Sequence, residues 1–252
     1  MAQHESSWTF EASVAKLRAG PLSARFDVTR PDLGLQYIQL NARDLAGQLL
    51  AVHRHADDVT SKPAWPLPLA DAYIRGDDLV ATYKPIDDWP YSPQLYWSAT
   101  PLDAGTEVLA SLSLLISVET HLLDTWPRIA VSSQLACDQL LQVNSATGIA
   151  ESLKPTQTIG PSKDICCVLH RLADLPISYV EIMPASDFRE LAVLQVKGSG
   201  YRAEWRLFAD FLEKGVIRKA RLQGAFLLRE NDVQLSLVCC AAMERRPLPL
   251  TT

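Results

Sequence analysis

Long apolar runs are missing from this 252-residue chain. The longest candidate, Val108 to Val118, is interrupted by Ser111, Ser113 and Ser117 and falls short of the ~20 apolar residues a membrane helix needs. Met1 to Phe10 lack the basic patch followed by an apolar run that marks a secretory signal. Positive charge is also scarce. The 24 Lys and Arg against 29 Asp and Glu leave a net charge of -5. That argues against nucleic acid as a partner, because neutralising phosphates takes concentrated Lys and Arg.

Cysteine numbers only 5, with Cys166–Cys167 and Cys239–Cys240 adjacent. An odd count in adjacent pairs makes no disulfide framework and fits a reducing compartment, so a cytoplasmic location is expected. The Cys-x-x-Cys spacing of zinc sites is absent too, and neighbouring cysteines in a strand face opposite ways. Core packing is the reading for both pairs. No Gly-x-Ser-x-Gly elbow exists, and Gly198-Ser-Gly200 is too short for a phosphate loop. Ser13-Val-Ala-Lys16 has Ser-x-x-Lys spacing without companion motifs. Neither a cofactor nor a metal is expected.

What is present is an ordinary globular composition, 48% apolar and 21% charged, enough for a substantial core. Charge divides unevenly: residues 1–145 hold 10 basic and 17 acidic side chains, and residues 146–252 hold the remaining 14 and 12. Such asymmetry suggests two regions with different surfaces.

Period-two alternation is the dominant local signal. Leu22, Ala24, Phe26 and Val28 oppose Ser23, Arg25 and Asp27. Over Val108 to Thr120, alternate residues from Val108 to Val118 form an apolar face, with serines and Glu119 mostly opposite. Both read as antiparallel strands with one solvated face. Further strands are expected at Gly34 to Leu40, Gln48 to His53, Gln94 to Ser98 and Ile129 to Gln134. Tyr73 to Tyr83 reads as a hairpin turning at Gly76. Polar, turn-forming residues over 142–164 suggest a linker. Strands then follow at Cys166 to Leu172, Ile177 to Met183 and Val216 to Leu228. Residues 201–215 fit helix or strand, and Asn231-Asp232 offers an N-cap for a closing helix over Val233 to Met243. The expected fold is mostly β, α+β overall. An antiparallel β-sandwich-like region over 1–145 packs with a smaller α+β region over 164–252, and 146–163 is a linker or excursion.

Aromatics carry the main binding signal. Seven of the 19 fall between Trp65 and Trp97, and seven of the 16 prolines between Pro63 and Pro101. Proline-stiffened loops can present flat ring faces to a sugar or peptide. The ligand-binding candidates are therefore Trp65, Trp89, Tyr91, Tyr96 and Trp97, with plugging of the sandwich core as the competing reading. Lys214, Lys219 and Arg221 suggest an anion-binding or interdomain face. His53-Arg-His55-Ala-Asp57-Asp58 places two imidazoles on one side of a strand but has no third ligand at a metal-site spacing. His121 with Asp124 and His170 with Asp174 could each share a turn. Asp77-Asp78 and Asp87-Asp88 are carboxylate pairs, the first read as solvated turn residues. The catalytic residues stay unknown.

Three stretches, Phe211 to Arg221, Arg229-Glu-Asn-Asp232 and Leu248-Pro-Leu-Thr-Thr252, resemble a bacterial protein family of uncharacterised activity. Tyr73 to Tyr83 and Pro93-Gln-Leu-Tyr-Trp97 are similar to its N-terminal half, so the resemblance spans nearly all of the chain. It implies no activity and no site residue. The order of the N-terminal strands also resembles galactose-mutarotase-like supersandwiches, which implies carbohydrate binding. The function expected first is non-catalytic binding or interaction through the aromatic and proline-rich surface. The alternative is a carbohydrate-binding or carbohydrate-active protein of supersandwich type. The expected partners are a carbohydrate, a protein or a second copy of the chain, with neither nucleic acid nor membrane.

Overall fold

The computed structural model describes residues 6–55, 64–99, 107–144, 146–161, 165–196, 200–208 and 211–245. Asp57, Asp58, Ser199 and Leu248 to Thr252 lie outside them. Alternating side chains make extended segments in quick succession, and these pair only antiparallel. The first five strands are β1 (Trp8–Glu11), β2 (Val14–Ala19), β3 (Leu22–Asp27), β4 (Gln36–Leu40) and β5 (Arg43–Leu45). They form a meander in chain order. There follow β6 (Gly47–Arg54), β7 (Leu69–Arg75), β8 (Asp78–Tyr83), β9 (Tyr91–Ser98), β10 (Val108–Thr120), β11 (Ile129–Leu135) and β12 (Cys137–Asn144). The remaining strands are β13 (Ala150–Ser152), β14 (Thr158–Ile159), β15 (Ile165–Leu172), β16 (Ile177–Ile182), β17 (Phe188–Val196), β18 (Gly200–Leu207) and β19 (Arg218–Leu228). The helix α1 (Asp232–Arg245) closes the described chain.

A nine-stranded sheet runs β13-β12-β15-β16-β19-β10-β9-β8-β7, and a five-stranded sheet runs β14-β17-β18-β11-β6. Both mix strands from before and after residues 146–163, so the expected boundary divides neither sheet. The longest ladder joins β10 to β19, from Val108 opposite Leu227 to Val118 opposite Arg218. Residues 146–163 themselves contribute β13 and β14.

One buried apolar cluster spans all three sheets. Leu35 and Leu49 exchange two backbone hydrogen bonds and so link the N-terminal meander to β6. Phe26 of the meander packs on Trp97 of the large sheet with ring centroids 4.1 Å apart, and Tyr83 donates to the Val28 carbonyl at 2.6 Å. Two sheets thus cover one face of the large sheet. On its other face, Val143, Cys167, Leu169, Val180 and Ala225 pack against Leu235, Cys239, Cys240 and Met243 of α1. The helix start is fixed by Asp232, whose carboxylate accepts two bonds from Arg171 at 2.8 and 3.0 Å and one from Ser178 at 2.7 Å.

The structure corrects two expectations and decides a third that was open. The expected solvated face of β10 is largely covered: Ser111, Leu115 and Ser117 are buried, Glu119 alone on that face is exposed, and Leu115 forms a small cluster with Val80 and Tyr96. Of the two readings open for residues 201–215, strand holds over Gly200–Leu207. The aromatic–proline segment exposes none of its candidate rings. Trp65, Trp89, Tyr91, Tyr96 and Trp97 are all buried. Trp65 and Trp89 meet edge to face at 5.0 Å, as Trp89 and Tyr91 do at 6.2 Å. Edge-to-face pairs of this kind are worth about 0.5–1.5 kcal/mol each beyond the area they bury.

Candidate functional site

The alternation that builds β18 sorts its side chains. Ala203, Trp205 and Leu207 are buried in the common core, while Arg202, Glu204 and Arg206 line the sheet's opposite face. Beside β18 runs β11, with Ser132 opposite Glu204. Beyond β11 runs β6, with His53 opposite Ala130. A bulge in β6 across from Ser133 interrupts the β11–β6 ladder, and Ser133 Oγ accepts the Leu50 N–H at 2.9 Å. Bulges of this kind re-aim neighbouring side chains.

The result is a carboxylate surrounded by nitrogen. Glu204 Oε2 lies 3.6 Å from His53 Nε2 and 3.7 Å from Arg202 Nη2. Its Oε1 lies 3.2 Å from Arg206 Nε and 3.8 Å from His55 Nδ1. Burial works against the ionised Glu204, but the His55 hydrogen bond and the Arg202 guanidinium, among the neighbouring groups, outweigh it and hold the pKa below the usual carboxylate range. His53 moves the other way for its type. Burial pushes its pKa down more than the Glu204 charge raises it, so the ring is neutral at pH 7. Its Nδ1 lies 3.2 Å from the Arg54 carbonyl, which can only accept, so Nδ1 carries the proton. Nε2 is then free to accept from the Ser132 hydroxyl at 3.2 Å.

Next to this cluster opens a cleft of about 650 Å³. His55, Arg128, Arg189, Glu190 and Arg206 supply its polar lining; Trp126, Leu207 and Phe208 supply apolar surface. Arg206 bridges Glu190 and Glu204, so the cleft wall and the buried cluster share one ion-pair chain. Phe208 reaches the cleft from a left-handed backbone conformation, φ 57°, which is costly for a bulky side chain and favoured where surrounding structure imposes it.

Trp126 is half exposed, at 52%, and its ring lies 6.0 Å from that of Phe211. The backbone beneath it is held. Thr125 and Leu212 exchange hydrogen bonds at 3.1 and 2.7 Å, and the Tyr91 hydroxyl contacts Thr125 Oγ1 at 2.6 Å and donates to the Trp126 carbonyl. Of the chain's six tryptophans, Trp8, Trp65, Trp89, Trp97 and Trp205 are buried, leaving Trp126 as the single exposed indole.

The expected candidates fall elsewhere, with two exceptions. His53 and His55 do meet a third partner, Glu204, which no local spacing could reveal. Tyr91 takes part from below, as the support of the Trp126 backbone. Arg221 is buried; its N–H donates to Asp187 Oδ2 at 2.9 Å and its guanidinium to the Met243 carbonyl at 3.0 Å. It ties β19 to α1, while Lys214 is exposed and Lys219 half-buried, so the three form no common docking face. His121 and Asp124 lie exposed on one bend, and His170 is buried in the core while Asp174 is exposed. Ser13 sits in a turn and Lys16 points outward from β2. Asp77 accepts from the Ser7 hydroxyl at 3.3 Å, and Asp87 and Asp88 are exposed. The residues missed by sequence were Trp126, Arg128, Arg189, Glu190, Glu204 and Arg206. The alternation Arg202-x-Glu204-x-Arg206 was their legible trace.

No family model matches the chain, and no curated protein does. Solved structures match over most of its length. The Slr1438 protein of Synechocystis sp. PCC 6803 is 9% identical, with a TM-score of 0.56 covering 90% of this chain and 100% of that one. A putative aldose 1-epimerase from Escherichia coli K12 is 7% identical, with a TM-score of 0.58 over 84% and 98%. A galactose mutarotase-like protein from Lactobacillus casei is 9% identical, with a TM-score of 0.50 over 84% and 99%. The chain therefore has the galactose-mutarotase-like supersandwich fold. At such identity the likeness is one of architecture.

Proposed function

We propose that the cleft beneath Trp126 is a carbohydrate-binding site. The observation that carries this reading is the single exposed indole, held on a hydrogen-bonded backbone at the mouth of a cleft lined with charged hydrogen-bonding groups. Sugar rings present C–H faces that stack on aromatic rings and hydroxyls that need directional partners, and the cleft offers both. The fold shared with a putative aldose 1-epimerase supports the same reading by analogy. The test is intrinsic fluorescence. Because Trp126 is the exposed indole, a sugar entering the cleft should shift its emission and protect it from iodide quenching. The Trp126→Ala variant should lose both responses and keep its fold. Unchanged emission across neutral and acidic sugars would reject the site.

A second reading, interconversion of sugar anomers, is favoured by one feature. His55 lines the cleft and also adjoins Glu204. Anomer exchange needs one group to donate a proton to the ring oxygen and another to take one from the anomeric hydroxyl. Polarimetry on freshly dissolved α-glucose and α-galactose, with His55→Gln as control, checks it. Rates equal to the uncatalysed reaction leave binding alone.

A further inference from the structure

Exposed apolar side chains concentrate beside the cleft. Among the described residues ten large hydrophobic side chains are exposed, and six of them stand on two short segments: Leu122, Leu123, Trp126, Phe211, Val216 and Ile217. Topology brings the two segments together. The β10–β19 ladder ends with Val118 opposite Arg218, and the bridge between Thr125 and Leu212 joins the same two stretches of chain again. Residues 119–124 and 213–217 are therefore facing loops fastened at both ends. Leu122 and Leu123 stand on one, Val216 and Ile217 on the other. Hydrophobic residues scattered singly over a surface need no explanation, but a contiguous group marks a binding surface.

Trp126 belongs to both features. Its indole lines the cleft and also lies 6.0 Å from the ring of Phe211. The apolar loops thus continue the aromatic wall of the cleft. A second copy of the chain is a poor occupant on grounds of size, because a stable interface takes about 20–30 residues a side and these loops offer far fewer. A bare sugar is too small in the other direction. Its ring covers the indole, and the loops beyond Phe211 stay in water. A molecule that is half sugar and half hydrocarbon meets both surfaces at once.

We infer that the cleft and the paired loops together take a glycoside with an apolar aglycone, on the reading that the cleft binds carbohydrate. The sugar occupies the cleft against Trp126, and the aglycone lies across Phe211 and the aliphatic side chains of the two loops. The anomeric oxygen of a glycoside carries no proton, so this ligand is held and not interconverted.

Titration calorimetry and Trp126 fluorescence on the full chain test this with methyl and hexyl β-glucoside, methyl and hexyl β-galactoside, and hexanol, all kept below micelle-forming concentrations. Each fully buried CH2 is worth about fourfold in affinity, so a hexyl chain on an open surface should bind roughly ten- to a hundredfold tighter than methyl. Leu123 is 80% exposed, so Leu123→Ser should remove much of that gain while leaving methyl-glycoside binding and the unfolding midpoint unchanged. Equal affinity for hexyl and methyl glycosides overturns the inference and leaves the carbohydrate site standing. Hexanol binding as tightly as the hexyl glycosides also overturns it, as an apolar surface without sugar recognition. Sedimentation showing a dimer that Leu123→Ser dissociates overturns it in favour of a second copy. No response to any glycoside or free sugar rejects the carbohydrate site itself.

Discussion

The indole nitrogen of Trp205 donates a hydrogen bond to Glu181 Oε2 at 2.8 Å, joining the five-stranded sheet to the nine-stranded one through the centre of the sandwich. Both side chains are fully buried. An ionisable group in such a place costs heavily unless partners hold it. The same carboxylate lies 3.9 Å from His170 Nε2, so an indole and an imidazole flank it. Replacing Trp205 with Phe keeps an aromatic ring in the core but removes the donor and part of the indole's volume. Urea denaturation should then show a loss of about 1–3 kcal/mol, because a buried acceptor is left unsatisfied. A midpoint equal to that of the unchanged protein would show that the bond contributes nothing.

The two buried histidines give stability opposite dependences on pH. Burial alone would lower the His170 pKa, but Cys137 and Glu181 outweigh it and raise it to about 9. A group with a raised folded-state pKa stabilises the protein fully below its unfolded value, 6.5, and loses that contribution as pH climbs through about 9. His53 is lowered, chiefly by burial, so below about 6.5 the unfolded chain binds a proton that the folded one resists. Glu204 is lowered as well, so its contribution is present above 4.5 and fades as pH falls through its folded value. Urea midpoints between pH 4 and 10 should describe a dome. The alkaline limb should flatten in His170→Gln and the acid limb in His53→Gln. Limbs left unchanged by these variants would place the titrating groups elsewhere.

Much of the local structure was written in the alternation of apolar residues. The strand Val108–Thr120, the strand from Leu22, the Gly76 hairpin and the closing helix all follow from neighbours along the chain. What alternation does not encode is which strand pairs with which. The β10–β19 ladder joins residues a hundred or more positions apart and so carries one sheet across the expected boundary at 146–163. Burial was equally illegible for the aromatics. A cluster of Trp and Tyr looks the same whether its rings face water or each other, and here Trp65, Trp89 and Tyr91 face each other. The site was partly visible. His53 and His55 stood out, but Glu204 arrives from a strand about 150 residues later, and Trp126 lay outside the aromatic cluster that drew notice.

Asp232 ties the helix to the sheet, and its removal should be costly in a way that charge alone does not explain. The carboxylate accepts both Arg171 bonds and the Ser178 hydroxyl while it sits at the helix start, where negative charge is favoured. Its pKa is lowered because Arg171 and Ser178 overcome the effect of burial. Asp232→Ala leaves the buried Ser178 hydroxyl and the part-exposed Arg171 without their acceptor and should cost about 1–3 kcal/mol. Asp232→Asn keeps one acceptor oxygen and should cost less. Equal losses for the two would mean that charge, not shape, sets the anchor.

Gly224 offers the sharpest test of core packing, because the reason for glycine there is a ring rather than a turn. A Cβ built on it would lie 2.2 Å from the Tyr179 hydroxyl and 2.8 Å from its Cζ. Tyr179 is fully buried, and its ring packs 5.0 Å from that of Phe226. It cannot swing away without displacing that ring, so the methyl of Gly224→Ala must be absorbed by shifting packed strands. Overpacking of this kind costs about 1–3 kcal/mol. Gly160→Ala makes the control, since a Cβ there meets nothing within 4 Å and no positive φ is involved. Thermal unfolding should therefore drop by several degrees in the first variant and stay level in the second. Equal behaviour of the two would mean that Tyr179 has room to move, and that the centre of the sandwich is looser than its buried rings require.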